Sequence, residues 1–113
     1  LQSELKKAGR PWEKSKAFDG SCPLSRFVPI RQCPPLNRLN IQLLINGECK
    51  QQGNSGDMLF PIPRLLTEIS RYFTLLPGDV VLTGTPDGVG PLASGDVLEL
   101  SLDTLLKEKT SVA

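Results

Sequence analysis

Two stretches of the sequence hold residue types that could do chemistry. The first, Gly84-Thr85-Pro86-Asp87-Gly88-Val89-Gly90, follows the apolar run Val80-Val81-Leu82 and Thr83. Glycine lets a backbone come close to a ligand. Thr83 and Thr85 set hydroxyls beside backbone N–H groups, and such a loop suits a carboxylate or a phosphate. No Gly-Lys-Ser/Thr closes the loop, so it is not a Walker loop. No helix of the dinucleotide-binding type follows it. Glycine content alone leaves a plain tight turn open as the alternative. The second stretch is Trp12-Glu13-Lys14-Ser15-Lys16-Ala17-Phe18-Asp19. A lysine among aromatics, partly stripped of water, can pair with a substrate carboxylate or a developing enolate. Taken alone, the residues favour a solvated lysine whose stem packs on Trp12 or Phe18.

What the chain lacks narrows the chemistry further. It has no histidine, which removes Ser–His and Cys–His catalysis within these residues and histidine-based zinc sites. A hard divalent cation wants two close carboxylates and a third nearby. Here Glu13, Asp19, Glu48, Asp57, Glu68, Asp79, Asp87, Asp96 and Glu99 are scattered. Asp57 and Asp79 follow glycine-containing turns, where aspartates bond their own backbone. The 3 cysteines, Cys22, Cys33 and Cys49, form no CxxC pair. An odd count without such a pair reads as free thiols in a reducing compartment, packed as small hydrophobes.

The elements that must position these residues can be read from pattern. Leu1 and Leu5, four apart among polar residues, suit the last turns of an amphipathic helix over residues 1–9, stopped by Gly9 with Pro11 beyond it. Residues 10–25 fit no period and read as ordered loop. Arg26 to Ile30 is a short strand candidate, and 31–38, with Cys33-Pro34-Pro35, is loop. Leu39 to Ile45 begins with the alternation of a half-buried strand. Asn46-Gly47 is a strong hairpin signal, since a type I′ turn needs positive φ at both central residues. Glu48 to Gln52 then returns as the second strand, and 53–57 is loop. Leu65, Leu66, Ile69, Tyr72 and Phe73 recur at helical steps, which predicts a helix over Arg64–Phe73 with Pro63 in its first turn. Pro77-Gly78 is a turn. Val80 to Leu82 reads as a short buried strand, Val97 to Leu102 as a final alternating strand, and 107–113 as frayed.

Composition bounds the rest. The chain has 113 residues, 39% hydrophobic and 22% charged, with net charge +1. That length fits one domain or part of one. The 10 glycines and 10 prolines favour short elements and tight turns over a helical bundle. Charges are interleaved and aromatics are only 5%, so neither a basic arm nor a base-stacking platform for nucleic acid is present. No apolar run reaches the roughly 18 residues of a membrane-spanning helix. Leu1 stands where an initiator methionine would, and no signal-peptide core follows. The expectation is a fragment that starts inside a helix of a longer, cytoplasmic protein, or a mitochondrial one if the source is eukaryotic.

Together the motifs resemble the fumarylacetoacetate hydrolase family. Pro77-Gly78-Asp79-Val80-Val81-Leu82-Thr83-Gly84-Thr85-Pro86-Asp87-Gly88-Val89-Gly90 looks like its long signature. Gly9 to Asp19 with Cys22-Pro23-Leu24 is similar to a second block. Asn46-Gly47-Glu48 with Gln52-Gly53-Asn54-Ser55 and Asp57-Met58 is similar to a third. The likeness fades after about Leu102, and small acylpyruvate hydrolases with related isomerases and decarboxylases look nearest.

The resemblance implies an α+β, mainly β fold with a mixed-sheet core, incomplete here, in which residues 1–113 are the C-terminal portion of one catalytic domain. It implies Mg²⁺ or Mn²⁺, a small keto-acid substrate and a homodimer. Lys16 matches the lysine that stabilises negative charge near the metal. Gln2 matches a glutamine that holds a substrate oxygen. Thr85, between Gly84 and Pro86, matches the threonine that grips the substrate carboxylate. The family's metal ligands, and its histidine with a partner glutamate, are expected upstream of Leu1, so no metal ligand is assigned in this chain. Ser55 replaces a common threonine, and the stretch after Leu102 lacks the usual glycine turn of the last hairpin.

The leading functional expectation is therefore a metal-dependent hydrolase that cleaves a C–C bond in an acylpyruvate or other 1,3-diketo acid, this chain carrying only the substrate-gripping half and expected to be inactive by itself. The alternatives are a non-catalytic remnant or binding module, and an oxaloacetate decarboxylase or a 5-carboxymethyl-2-hydroxymuconate isomerase-type enzyme.

Overall fold

The computed structural model describes residues 1–113. Its centre is a four-stranded sheet in the order β2-β1-β3-β4, formed by β1 (Asn40–Ile45), β2 (Glu48–Asn54), β3 (Val97–Leu102) and β4 (Leu106–Ser111). The expected hairpin is present, with Asn46 at φ 52° and Gly47 at φ 82°, both in the region a type I′ turn demands. All three strand pairings are antiparallel. The mixed sheet implied by the resemblance is not seen within these strands. Tight hairpins join β1 to β2 and β3 to β4, and such connections allow only antiparallel neighbours.

Asn46 also fixes where β3 begins. Its Nδ2 donates to Asp96 Oδ1 at 2.8 Å, and its Oδ1 accepts from the Val97 N–H at 2.9 Å. Asp96 Oδ2 accepts from the Ala93 N–H at 2.8 Å. The Ala93 bond first, then the Asn46 amide, holds the Asp96 carboxyl below the usual aspartate range.

Val97–Leu102 is not the final strand, and the expected fray at 107–113 is replaced by β4, paired with β3 from Leu106 to Ser111. The hairpin turns without glycine because Asp103 takes φ 47°, a conformation short polar side chains tolerate. Asp103 Oδ1 accepts from Asn40 N and Asn40 Nδ2 at 3.2 and 2.9 Å, which anchors the turn to β1. The charges of Lys107, Glu108 and Lys109 that suggested fraying suit an edge strand.

Outside the sheet, α1 (Gln2–Lys7) ends as expected, with Gly9 at φ 61°. The second helix, α2 (Ile62–Ser70), starts two residues before the predicted Arg64, with Pro61 as its cap and Pro63 in its first turn. It ends early, in a tight turn where the Tyr72 and Phe73 N–H groups both reach Ile69 O. Arg26–Ile30 is not a strand. No neighbour pairs with it, and Ile30–Gln32 winds into a 3₁₀ turn after Pro29. Val80–Leu82 likewise has no strand partner, and Leu82 is 76% exposed. Apolar, β-branched sequence makes a strand only where a ladder partner stands beside it.

The register puts Ile41, Leu43, Ile45, Leu98, Leu100 and Leu102 on one face of the sheet. That face is open, and only Leu39 counts as buried. The accessible surface is 9116 Å², against about 6,100 Å² for a compact monomer of this mass. The radius of gyration is 15.8 Å, against about 13 Å for a compact chain of this length. The excess surface, about 3,000 Å², is of the size buried by obligate interfaces. No helix is long and apolar enough to cross a membrane.

The Asp96 bonds carry a pH prediction. A depressed carboxyl stabilises the fold above its unfolded pKa of about 4, and this contribution is lost as pH falls through the lower folded value. Asp96→Asn should lower Tm at pH 7. The Tm difference from wild type should shrink as the pH is taken well below 4, as followed by circular dichroism melts.

Candidate functional site

The glycine-rich loop lies against β2, and β2 is shaped to receive it. The β1–β2 register shifts between Leu43 and Leu44: Leu43 faces Gln51 and Leu44 faces Cys49, so Lys50 is the extra residue of a bulge. A bulge bends its strand and turns its backbone groups outward. A Cβ on Gly88 would overlap the Lys50 carbonyl oxygen, and Gly88 has φ 101°. A Cβ on Gly53 would meet Pro86 Cβ at 2.8 Å. The loop and the strand thus touch closely at two places where a larger residue does not fit: Gly88 against the Lys50 backbone, and the Pro86 ring against Gly53.

Between these contacts Gln51 crosses from β2 into the loop. Its Nε2 donates to Thr85 Oγ1 at 2.9 Å and to Pro86 O at 2.8 Å. The backbone N–H groups from Val80 to Leu92 make no hydrogen bond within the chain. Gly84 and Thr85 are exposed, with Gly84 at φ 104°. Thr85 and Pro86 form one wall of an open groove of about 550 Å³, whose other walls include Leu24, Ile41, Leu43 and Leu100. Chemically this is a hydroxyl and unengaged amide donors beside an apolar trough, which suits an acid with a short carbon skeleton.

The loop brings Gly84, Thr85 and Pro86 together. Lys16 and Gln2 lie elsewhere, in the N-terminal segment. Lys16 follows the 3₁₀ turn Glu13–Ser15, and its N–H donates to Glu13 O at 2.7 Å. Its side chain is exposed and forms neither a hydrogen bond nor an ion pair. The aromatic partner expected for a lysine here goes to another: Lys6 Nζ stands 5.1 Å from the centre of the Trp12 ring, and Phe18 is exposed. Gln2 is half-buried in the first turn of α1, and no side-chain bond links it to the loop.

Asp79 accepts from the Leu76 N–H at 2.7 Å, which is the local turn bond expected of it. Cys22, Cys33 and Cys49 are unpaired. No three Cys, Asp or Glu side chains converge, so the residues of this chain do not form the oxygen cage that Mg²⁺ or Mn²⁺ takes. Sequence reasoning missed Gln51. Nothing in its spacing marks it out, whereas Gly53, a glycine inside a strand, was a readable sign of close backbone approach.

Comparison with known proteins gives a consistent picture. The family profile described as Fumarylacetoacetate (FAA) hydrolase C-terminal matches residues 1–113. Oxaloacetate tautomerase YcgM of Escherichia coli (strain K12) is 54% identical over 105 residues, covering 91% of this chain and 48% of that protein. The crystal structure of a fumarylacetoacetate hydrolase family protein from Yersinia pestis CO92 superposes with TM-score 0.94 at 51% identity, over 100% of this chain and 52% of that one. The structure of fumarylpyruvate hydrolase from Pseudomonas aeruginosa, in complex with Mn²⁺ and pyruvate, superposes with TM-score 0.92 at 34% identity, over 100% of this chain and 48% of that one. The chain spans about half the length of these relatives.

The packing predicts a graded response to added methyl groups. Gly88→Ala should cost about 2 kcal/mol or more, because both the clash and the left-handed backbone oppose it. Gly90→Ala, with open space around it, should cost well under half of that. Denaturant titration, with limited proteolysis of the loop as a second readout, distinguishes the two.

Proposed function

Because the chain belongs to the fumarylacetoacetate hydrolase family, we propose that it is the substrate-gripping part of an enzyme acting on a small 2-oxo diacid of the oxaloacetate type, interconverting its keto and enol forms. In this reading residues 1–113 are the C-terminal part of a single catalytic domain. The observation that carries the reading is the Thr85–Pro86 turn, pinned by Gln51, with unengaged N–H groups at the rim of an apolar groove. The tautomerase relative at 54% identity favours this reaction over the C–C hydrolysis expected from the motifs alone.

Tautomerisation moves one proton from C3 of the keto acid and places one on the C2 oxygen, so no atom is lost. The barrier lies in the negative charge that gathers on the C2 oxygen as the C3 proton departs. In this proposal the Thr85 hydroxyl and the Gly84 and Thr85 N–H groups hold a substrate carboxylate. Pro86 fixes the turn, with no N–H of its own to compete. Lys16 neutralises the enolate and Gln2 donates to a substrate oxygen. The exposed Lys16 has no partner within the chain, so it is free to turn toward a bound anion.

Mg²⁺ or Mn²⁺ is proposed for the complete enzyme, held by residues outside this chain, since the carboxylates here do not converge. The open apolar face is proposed to be covered by the remaining half of the domain, and the complete protein to be a homodimer. Hydrolysis of an acylpyruvate is the second reading, favoured by the fumarylpyruvate hydrolase likeness. It passes through the same kind of enolate.

Joining these 113 residues to the unmatched part of the Escherichia coli relative tests the proposal. The chimaera should speed the decay of oxaloacetate enol absorbance and leave acetylpyruvate intact. Cleavage of acetylpyruvate with no effect on the enol would select the second reading. Lys16→Ala should lower kcat at least about tenfold by removing a donor to transition-state charge. Thr85→Val should raise KM for the acid with metal affinity unchanged.

A further inference from the structure

We infer that Gln51 is a positioning residue that sets the direction of the Thr85 hydroxyl, leaving its proton free to be donated to a substrate carboxylate. The inference rests on the proposed role of Thr85 and adds to it a residue and a polarity.

Donors and acceptors fix the polarity. A glutamine amide has an oxygen that only accepts and a nitrogen that only donates. Gln51 places one end of that amide 2.8 Å from the Pro86 carbonyl oxygen. A carbonyl has no proton to give, so the nitrogen must be the end that meets it. The same nitrogen lies 2.9 Å from Thr85 Oγ1. With the amide orientation fixed by Pro86, the hydroxyl can only accept there. It makes no other hydrogen bond within the chain, so its single proton remains unspent. A threonine hydroxyl in water turns among three staggered positions. This one is held with a lone pair toward β2 and its proton away from Gln51, on the side left for a ligand.

Gln51 is half-buried on the sheet face it shares with Leu43 and Gly53. Its stem is fixed by the strand, and its donor N–H groups are both used by the loop. It therefore touches no substrate in this scheme and acts only through Thr85.

Two substitutions of similar shape separate this from a merely structural role. Gln51→Met removes the donor and lets the hydroxyl rotate. Gln51→Glu replaces the donor with a carboxylate that accepts the Thr85 proton, turning the hydroxyl the wrong way. In the complete enzyme containing this chain, KM for oxaloacetate should rise in the order wild type, Gln51→Met, Gln51→Glu. The last should rise about tenfold or more with kcat within about twofold, as lost ground-state and transition-state binding alike requires. Added to Thr85→Val, Gln51→Glu should raise KM no further, because its target is gone.

A Gln51→Glu effect that persists undiminished in the Thr85→Val background would overturn the inference, as would equal KM values for Gln51→Met, Gln51→Glu and wild type. If Thr85→Val itself leaves KM unchanged, it is the carboxylate-grip reading that fails. If Gln51→Glu does not fold, the Gln51→Met pair with and without Thr85→Val decides by the same non-additivity.

Discussion

The arrangement depends on one contact: a glycine-rich loop laid directly on the backbone of a bulged strand. Gly88 against the Lys50 carbonyl and Gly53 beneath Pro86 allow an approach that any side chain would prevent. The Gln51 amide then fastens the loop at the one place where a polar bridge fits. Remove either glycine and the loop lifts.

The sheet exists to present that strand. The β1–β2 hairpin is set by Asn46-Gly47, and Asn46 reaches across to Val97 and Asp96, so one turn positions both neighbours of β1. Asp103 does the matching service at the other end by holding Asn40. The result is a firm polar frame around an apolar face with little of its own to cover it. Helices α1 and α2 lie off the sheet, so they do not supply the hydrophobic burial that normally stabilises such a face. The chain that carries it spans about half the length of the relatives it was compared with.

Much of this was legible in the sequence, for reasons that differ by element. The β1–β2 hairpin was readable because type I′ geometry is demanding and Asn-Gly meets it. The α2 helix was readable from its 3.6-residue period, with Pro63 in its first turn, although its start at Ile62 was not, since Ile62 looks like linker until Pro61 is seen as the cap. The strand at Val80–Leu82 was misread because local pattern records burial in the complete fold, and here no partner strand lies alongside. Strand β4 was missed for the opposite reason: its charges belong to an edge, and its turn uses Asp103 where glycine was looked for. In the site, the Gly84–Gly90 loop was readable from its own composition, but Gln51 was not. It lies 34 residues from Thr85, its part depends on the neighbouring bulge, and no local pattern encodes a bulge.

The central claim is that this loop binds a small keto acid through donors held in place by β2. A titration of pyruvate against the isotopically labelled complete enzyme, followed by amide chemical shifts, tests it most directly. The account predicts that the largest changes fall on the Gly84 and Thr85 amides and on the Gln51 side-chain NH₂, and that they saturate together. Saturable shifts confined to other parts of the protein, with the loop and Gln51 silent, would contradict it.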